Sequence, residues 1–332
     1  MRTTVGIGLL GCGAVGASVA HRLQRERALI EERAGVSYRL HAIAIRDCSK
    51  RRPESLEREL FTTAARAVVE DPRVDVVVEL IGGLDDAADL VERALRRGRH
   101  VVTANKDLIA TQGPRLRALA ETAELSLRYD AAVGGAIPVL RVLEEALAGD
   151  EILSVSGVLN GTCTAILSAM ESGSNFDEAL AQAQKLGYAE ADPRNDIEGI
   201  DAAHKIAIVA QTAFGVPVPS SQISARGITS ITRDEVARAH SDGARIRLVA
   251  TAERTGQGVR CGVAPVLLPE HHEFARTAGV ENVVQIDARA AGSLILRGDG
   301  AGGSATASSV LGDVVAILRT LSPAAAPVLA TA

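Results

Sequence analysis

Through the first 130 residues, short apolar runs alternate with segments whose apolar positions recur at helical spacing. Residues 4–10 (TVGIGLL), 38–45 (YRLHAIAI), 74–80, 100–103 and 125–129 read as buried strands, and 14–32, 87–97 and 114–124 as helices. Strands and helices alternating at this interval predict a parallel sheet covered on both faces. After residue 135 the pattern changes. Helices are expected at 139–147, from near Thr164 to 174, at 176–186 and at 201–214, with strands at 152–158, 245–252, 258–267, 283–288 and 293–297. The later strands suggest a mixed sheet suited to self-association. A polar loop covers 187–199, prolines break the chain at 216–219, and a glycine loop at 298–303 precedes a last helix at 305–321.

Between the first strand and the first helix stands Gly11-Cys12-Gly13-Ala14-Val15-Gly16. The pattern G-x-G-x-x-G carries weight here because of that placement. The first glycine permits a tight turn, the second lets backbone approach a pyrophosphate, and the third allows close helix–strand packing. The helix start at Ala14 and Val15 then turns free N–H groups and a positive dipole end toward the phosphates. The expectation is a Rossmann-type doubly wound dinucleotide-binding domain. At the end of the second strand, Arg46 precedes Asp47, and Lys50, Arg51 and Arg52 follow. An arginine there suits the 2′-phosphate of NADP, whereas an acid suits the ribose of NAD. NADP is favoured, with Asp47 leaving NAD open.

The stretch from Gly187 to Lys205 (GYAEADPRNDIEGIDAAHK) concentrates Glu190, Asp192, Asp196, Glu198 and Asp201 ahead of a lysine. Asp201 and Lys205 lie four apart on an expected helix and so share a face. Carboxylates feeding a lysine suit a small zwitterion: the acids hold an ammonium and the lysine meets an alcohol or carbonyl. A solvated acidic loop is the plain alternative; the glutamate spacing of an EF-hand is absent. His204 points about 100° away from Lys205 and reads as packing or surface. His271-His272 lacks further ligand spacing, so no metal is expected there.

Composition narrows the classes. The 332 residues carry 36 Lys+Arg against 41 Asp+Glu, a net charge of −5, which argues against nucleic acid as the main partner. With no Trp, 3 Tyr and 4 Phe, a base-stacking platform is not expected. Hydrophobic residues at 47% support buried cores. Cys12, Cys48, Cys163 and Cys261 show no Cys-x-x-Cys pairing and read as reduced thiols of a cytoplasmic protein. No run reaches about 18 apolar residues, and no small-residue cleavage site follows the first apolar stretch.

The segment A183-xxx-G187-Y-A-xx-D192-P193-xx-D196-I-x-G199-x-D201-xxx-K205 resembles the signature of homoserine dehydrogenases. Gly11–Gly16 is similar to the family's glycine turn, Val78-Glu79-Leu80-Ile81-Gly82-Gly83 to its third-strand exit, and Thr103-Ala-Asn-Lys106-Asp-Leu to its TANKDL segment. Asn160-Gly161-Thr162 resembles the substrate loop, and Gly300-Ala-Gly302-Gly-Ser-Ala-Thr306 the glycine loop that returns to the cofactor. The resemblance implies NAD(P)-dependent interconversion of L-homoserine and L-aspartate 4-semialdehyde by direct hydride transfer, on the route to threonine, methionine and isoleucine. It implies Lys205 as acid/base, with Lys106 and Asp201 catalytic, and Glu190, Asp196, Gly161 and Thr162 at the substrate. It further implies cofactor contacts from Gly82, Thr103, Lys106, Gly300 and Gly302 beside the glycine turn and Arg46. A monovalent cation, Na or K, would sit at Asp130, Val133, Gly135 and Ile137, mostly on backbone carbonyls. The domains implied are a cofactor-binding one at 1–135, completed by the helix at 304–322, and a catalytic and dimerisation one at 136–303. A homodimer is expected.

Three departures from the family pattern stand out. Asp130 stands for the usual Glu, Cys163-Thr164-Ala165 replaces Thr-Asn-aromatic, and the chain ends at Ala332, where relatives continue into a regulatory domain. That domain and its feedback inhibition are expected to be missing. Two competing readings follow from the same residues. An aspartate-semialdehyde dehydrogenase would need a cysteine nucleophile, for which Cys163 is the candidate. A non-catalytic dinucleotide sensor need not keep Lys106, Glu190, Asp201 and Lys205 together.

Overall fold

The structure, a computed structural model, describes residues 4–49 and 56–322; Lys50, Arg51, Arg52 and the Ala/Pro tail lie outside the described residues. The chain divides into two compact units. The first comprises residues 1–108, 112–129 and 302–332; the second holds 109–111 and 130–301.

In the first unit the order is β1 (Thr4–Leu10), α1 (Ala14–Arg25), α2 (Arg27–Ala34), β2 (Ser37–Ala44), β3 (Phe61–Thr62), α3 (Ala65–Glu70), β4 (Val76–Glu79), α4 (Asp85–Arg96), β5 (His100–Thr103), α5 (Lys106–Thr122) and β6 (Leu127–Arg128). The sheet runs β3-β2-β1-β4-β5-β6, and every pairing is parallel. This is the expected doubly wound α/β arrangement. Its strand order reverses between β1 and β4, where open α/β sheets bind ligands beyond the carboxyl ends of their strands. Leu10, Val77, Val91, Leu95, Leu108 and Leu116 join in one buried core.

Local chemistry moves several boundaries. The expected helix at 14–32 breaks at Glu26 (φ −100°, ψ 19°) into α1 and α2. The helix expected from Pro114 starts at Lys106, because the Asn105 side chain accepts the Leu108 N–H at 3.1 Å and caps it; Pro114 lies inside. Strand β3 has only two residues and α3 only six, too few for either to show a period in the sequence.

The second unit contains α6 (Ala131–Gly134), α7 (Val139–Arg141), β7 (Ile152–Val158), α8 (Gly161–Glu171), α9 (Phe176–Lys185), α10 (Arg194–Ile197), α11 (Ile200–Phe214), β8 (Ser224–Ala225), α12 (Arg233–Ser241), β9 (Ala244–Thr255), β10 (Gly258–Pro269), β11 (Glu281–Ala288) and β12 (Gly292–Asp299). The chain's last helix, α13 (Gly303–Leu321), belongs to the first unit. The second sheet, β12-β11-β7-β9-β10-β8, is antiparallel apart from the β8–β10 pair, and so is mixed. Val158, Val249, Phe274 and Val283 form part of its core. The helix expected at 139–147 splits into α7 and a π-helical turn at Val142–Ala146. Helix α12 was not expected: it has no strong apolar stripe, and a capping box of Thr232 and Glu235 starts it.

Helix α13 is long and apolar enough by length and composition to cross a membrane. In this fold Val310, Val314, Ile317 and Leu318 are fully buried, as befits a core helix of the first unit.

Candidate functional site

A cleft of about 820 Å³ opens at the carboxyl ends of β1, β2 and β4, lined by Gly11–Gly13, Arg46, Asp47, Arg66, Leu80–Gly82 and Asp89 among others. The three glycines divide the work as their spacing predicts. Gly11 has φ +98°, and a Cβ there would lie 2.5 Å from the Leu80 carbonyl oxygen. A Cβ on Gly16 would stand 2.2 Å from the Gly11 oxygen, whereas one on Gly13 would meet nothing within 4 Å. The first and third glycines close the turn; the second borders the open space a pyrophosphate needs. Helix α1 starts there with no side-chain cap at Gly13, so its amino end can serve an anion.

Arg46 stands exposed at the cleft. The Asp47 Oδ1 accepts from the Ser49 amide at 2.8 Å and from its hydroxyl at 2.6 Å. Arg66 also lines the cleft and pairs with Asp89 at 3.2 Å, a cation that no motif in the sequence points to. Beneath the turn at Gly82 lies Glu79, fully buried. Its Oε1 accepts from the amides of Ile81 (2.8 Å) and Gly82 (3.1 Å), and its Oε2 from the Thr103 hydroxyl at 2.5 Å. Thr103 is itself fully buried, so its side chain supports this turn instead of facing the cleft. The Thr103 oxygen accepts the Asn105 amide, and Asn105 Nδ2 donates to Gly83 O at 2.6 Å. Lys106, half-buried, opens α5.

In the second unit the signature residues converge on the end of β7. The Lys205 ammonium reaches Asp201 Oδ2 at 2.9 Å and donates to the Leu159 carbonyl at 2.7 Å. Asp201 is 3% exposed and the Lys205 side chain 13%. Asn160, next to Leu159, ties the acids together: its Nδ2 donates to Asp196 Oδ1 at 2.7 Å and to Asp201 Oδ2 at 2.9 Å. Its Oδ1 accepts from the Cys163 amide at 2.9 Å and caps α8. The amide is therefore used at both ends, with two donors on two carboxylates and the acceptor on a helix start. The Thr162 hydroxyl donates to Tyr188 O at 2.6 Å and pins the acidic loop to α8. A Cβ on Gly161 would come within 2.9 Å of the Val280 backbone.

Other expected residues stand apart from this cluster. Glu190 is exposed. Asp192 is exposed and held by the Arg194 guanidinium, which keeps its carboxyl down at about 2. Asp130 is 3% exposed, and its Oδ1 accepts the Leu140 amide at 2.8 Å. Gly135 (φ +61°) lies against the Gly300 and Asp299 carbonyls, which a Cβ would strike at 2.4 and 2.8 Å. Gly300 donates its amide to Val280 O at 3.2 Å, and Gly302 (φ +121°) leads into α13. His272 Nδ1 accepts the Phe274 amide. Among the described residues no group of three or more His, Cys, Asp or Glu could hold a metal ion.

Cys163 lacks the character of a nucleophile. It is fully buried, its thiol faces Asp196 O at 3.2 Å, and burial, followed by the charges of Asp196 and Asp201, pushes its pKa well up. Thioester chemistry needs a thiolate and so a lowered value. The residues that sequence reasoning missed, Asn160 and Glu79 as organisers and the Leu159 carbonyl, act across tens of residues of chain.

Comparison with known proteins bears on both units. A family model described as homoserine dehydrogenase matches residues 138–315, and one described as its NAD binding domain matches residues 11–130. The chain is similar to the homoserine dehydrogenase of Bacillus subtilis, 38% identical over 316 residues, covering 95% of this chain and 73% of that protein. For the Corynebacterium glutamicum homoserine dehydrogenase the identity is 42% over 323 residues, with 96% and 72% covered. A solved homoserine dehydrogenase from Thiobacillus denitrificans aligns with a TM-score of 0.92 at 42% identity, covering 96% of this chain and 74% of that one. A hyperthermophilic archaeal homoserine dehydrogenase in complex with NADPH aligns at 0.81 and 28% identity, covering 96% and 98%.

Proposed function

The chain belongs to the homoserine dehydrogenase family, and from that premise we propose that Lys205 is the acid/base of its active site. The activity is that of an NAD(P)-dependent oxidoreductase, which interconverts L-homoserine and L-aspartate 4-semialdehyde in the biosynthesis of threonine, methionine and isoleucine. It works on a small-molecule substrate with a nicotinamide cofactor.

The observation that carries the proposal is the pair of fixed acceptors around Lys205 Nζ, Asp201 Oδ2 and Leu159 O. An ammonium has three N–H donors. Two are committed, which leaves the third for the substrate oxygen. When that proton is given to a developing alkoxide, the neutral amine keeps two donors for the same two acceptors. The nitrogen stays in place, and in the oxidative direction it takes the hydroxyl proton back. Asp201 holds the lysine, and Asp196 and Glu190 offer charge to the substrate ammonium. Gly161 and Thr162 shape the loop beside it, and Lys106 serves as the second lysine of the reaction.

The cofactor, when bound, accepts or supplies the hydride. Its pyrophosphate goes to Gly11, Gly13, Ala14, Val15 and Gly16, with further contacts from Gly82, Lys106, Gly300 and Gly302; Thr103 acts through the turn it supports. NADP is preferred: Asp47 Oδ1 is engaged by Ser49, while Arg46 stands at the cleft for a 2′-phosphate. A monovalent cation would be held at Asp130, Val133, Gly135 and Ile137 by backbone carbonyls, because Asp130 Oδ1 is committed to Leu140. The first unit is read as the cofactor domain with its C-terminal helix, and the second as the catalytic and dimerisation domain. Exposed Leu267 and Ile295 on β10 and β12 favour a homodimer through the second sheet. The four free cysteines accord with the cytoplasm, and the −5 charge with no role for nucleic acid or membrane.

Replacing Lys205 by Ala tests the central assignment. The expected result is a kcat lower by roughly 10²-fold or more, with NADPH affinity, followed by fluorescence titration, near wild type. Full kcat, or a loss confined to cofactor affinity, would return Lys205 to a structural role.

A further inference from the structure

Leu159 O, the carbonyl that receives Lys205, is shared. Asn282, the second residue of β11, donates its Nδ2 to the same oxygen at 3.3 Å. Since a carbonyl oxygen only accepts, the amide must present its nitrogen on this side. The carboxamide is 1% exposed. Gly300 packs against it so closely that a Cβ there would fall 2.2 Å from Asn282 Cγ. Its Oδ1 is buried without a hydrogen-bond partner among the described residues. A buried amide with one end unsatisfied carries a desolvation penalty that an apolar side chain of the same shape would avoid. That amide spends its nitrogen on the carbonyl that receives Lys205.

Leu159 lies just beyond β7 (Ile152–Val158), outside the ladder that pairs Val158 with Val283. The paired residues of β7, to β11 on one side and β9 on the other, end before this carbonyl. The neighbouring Asn160 spends its own amide on Asp196, Asp201 and Cys163. We propose that Asn282 is a positioning residue for the acid/base lysine: it fixes the Leu159 carbonyl that, with Asp201, aims Lys205 Nζ at the substrate oxygen. This rests on the reading of Lys205 given above. The step itself is unchanged, one proton passing between Nζ and the substrate oxygen; Asn282 neither gives nor takes a proton.

A double-mutant cycle separates this role from simple packing. Asn282→Leu keeps the number and branching of the side-chain heavy atoms and removes the donor. In the otherwise native enzyme it should lower kcat for homoserine oxidation about tenfold, the scale of one lost hydrogen bond, with KM for homoserine and NADP within about twofold. In the Lys205→Ala background the same change should move the residual kcat by less than about twofold, because the group it aims is gone. Asn282→Ala, which introduces no bulk, should give the same pattern more weakly and serves if the leucine variant does not fold. An equal loss in both backgrounds, or no loss in the native one, overturns the proposal while leaving Lys205 in its role. If Lys205→Ala itself keeps full kcat, the reading beneath it fails instead.

Discussion

The bridge at Asn160 can be probed without disturbing the helix it caps. Asn160→Asp keeps the side-chain shape and an oxygen for the Cys163 amide, so the cap, worth about 1 kcal/mol, survives. The two donors facing Asp196 and Asp201 do not. Hydrogen bonds to charged groups contribute about 1.5–3 kcal/mol each. A protonated carboxyl retains one donor and an ionised one retains none, so the loss runs from about 1.5 to 6 kcal/mol, against a typical total of about 5–15 kcal/mol. Burial and two neighbouring acids lift the folded-state pKa of the introduced carboxyl above its unfolded value of about 3.9. Such a group binds more protons in the folded state. Its relative stability is greatest below the unfolded pKa and is lost as pH rises through the folded one, by at most about 1.4 kcal/mol per pH unit. Urea unfolding of wild type and variant at pH 5 and pH 8 should therefore show a deficit that is larger at pH 8. kcat should fall alongside, as Asp201 loses its tether. A variant within about 1 kcal/mol of wild type at both pH values would show that Asn160 does not hold the two acids together.

Arg46→Ala should weaken NADPH binding by about 1.5–3 kcal/mol and leave NADH nearly unchanged; equal weakening of both, measured by titration, would dismiss Arg46 as the 2′-phosphate reader. Gly16→Ala places a Cβ 2.2 Å from the Gly11 oxygen, so the turn must shift; cofactor affinity should drop at least tenfold and stability by about 1–3 kcal/mol, and a variant that binds NADPH normally would show that the turn can open at no cost. His100 accepts the Ser126 amide on Nδ1, and burial holds its pKa below the ordinary value, opposed by Asp75. Its contribution is present above about pH 6.5 and lost as pH falls; the melting temperature should fall from pH 7 to 5.5, and fall less in His100→Asn.

Much of the cofactor cleft was legible in the sequence because its chemistry is local. Gly11, Gly13 and Gly16 lie within one turn, and strand and helix flank them on either side. Asp201 and Lys205 were legible for a similar reason, since helical spacing alone brings them to 2.9 Å. Asn160 and Asn282 were not: their partners lie 36, 41 and 123 residues away, and a single polar residue in a loop or strand does not announce which oxygen it will meet. Glu79 was read as part of a strand exit, but its burial, which turns the carboxylate onto the backbone of the next turn, depends on the packed sheet. Helix α12 escaped because its start is set by a reciprocal cap instead of an apolar stripe, and α3 because six residues are too few to show a period.

The last helix of the chain has a consequence for the order of events during synthesis. Helix α13 packs on α1, and Gly303 meets Ala14 so closely that a Cβ would stand 3.0 Å from its carbonyl oxygen. The first unit thus owes one wall of its core to residues that leave the ribosome only after the whole stretch 130–301. At about 5–20 residues per second, that interval lasts on the order of ten to thirty seconds. Val310, Val314 and Ile317 of that helix are fully buried in the finished unit, so their burial waits for the end of the interval. The second unit, whose segments are nearly contiguous, can close first. In this chain the unit that carries the Gly11–Gly16 turn is completed by α13 only after the second unit has been made.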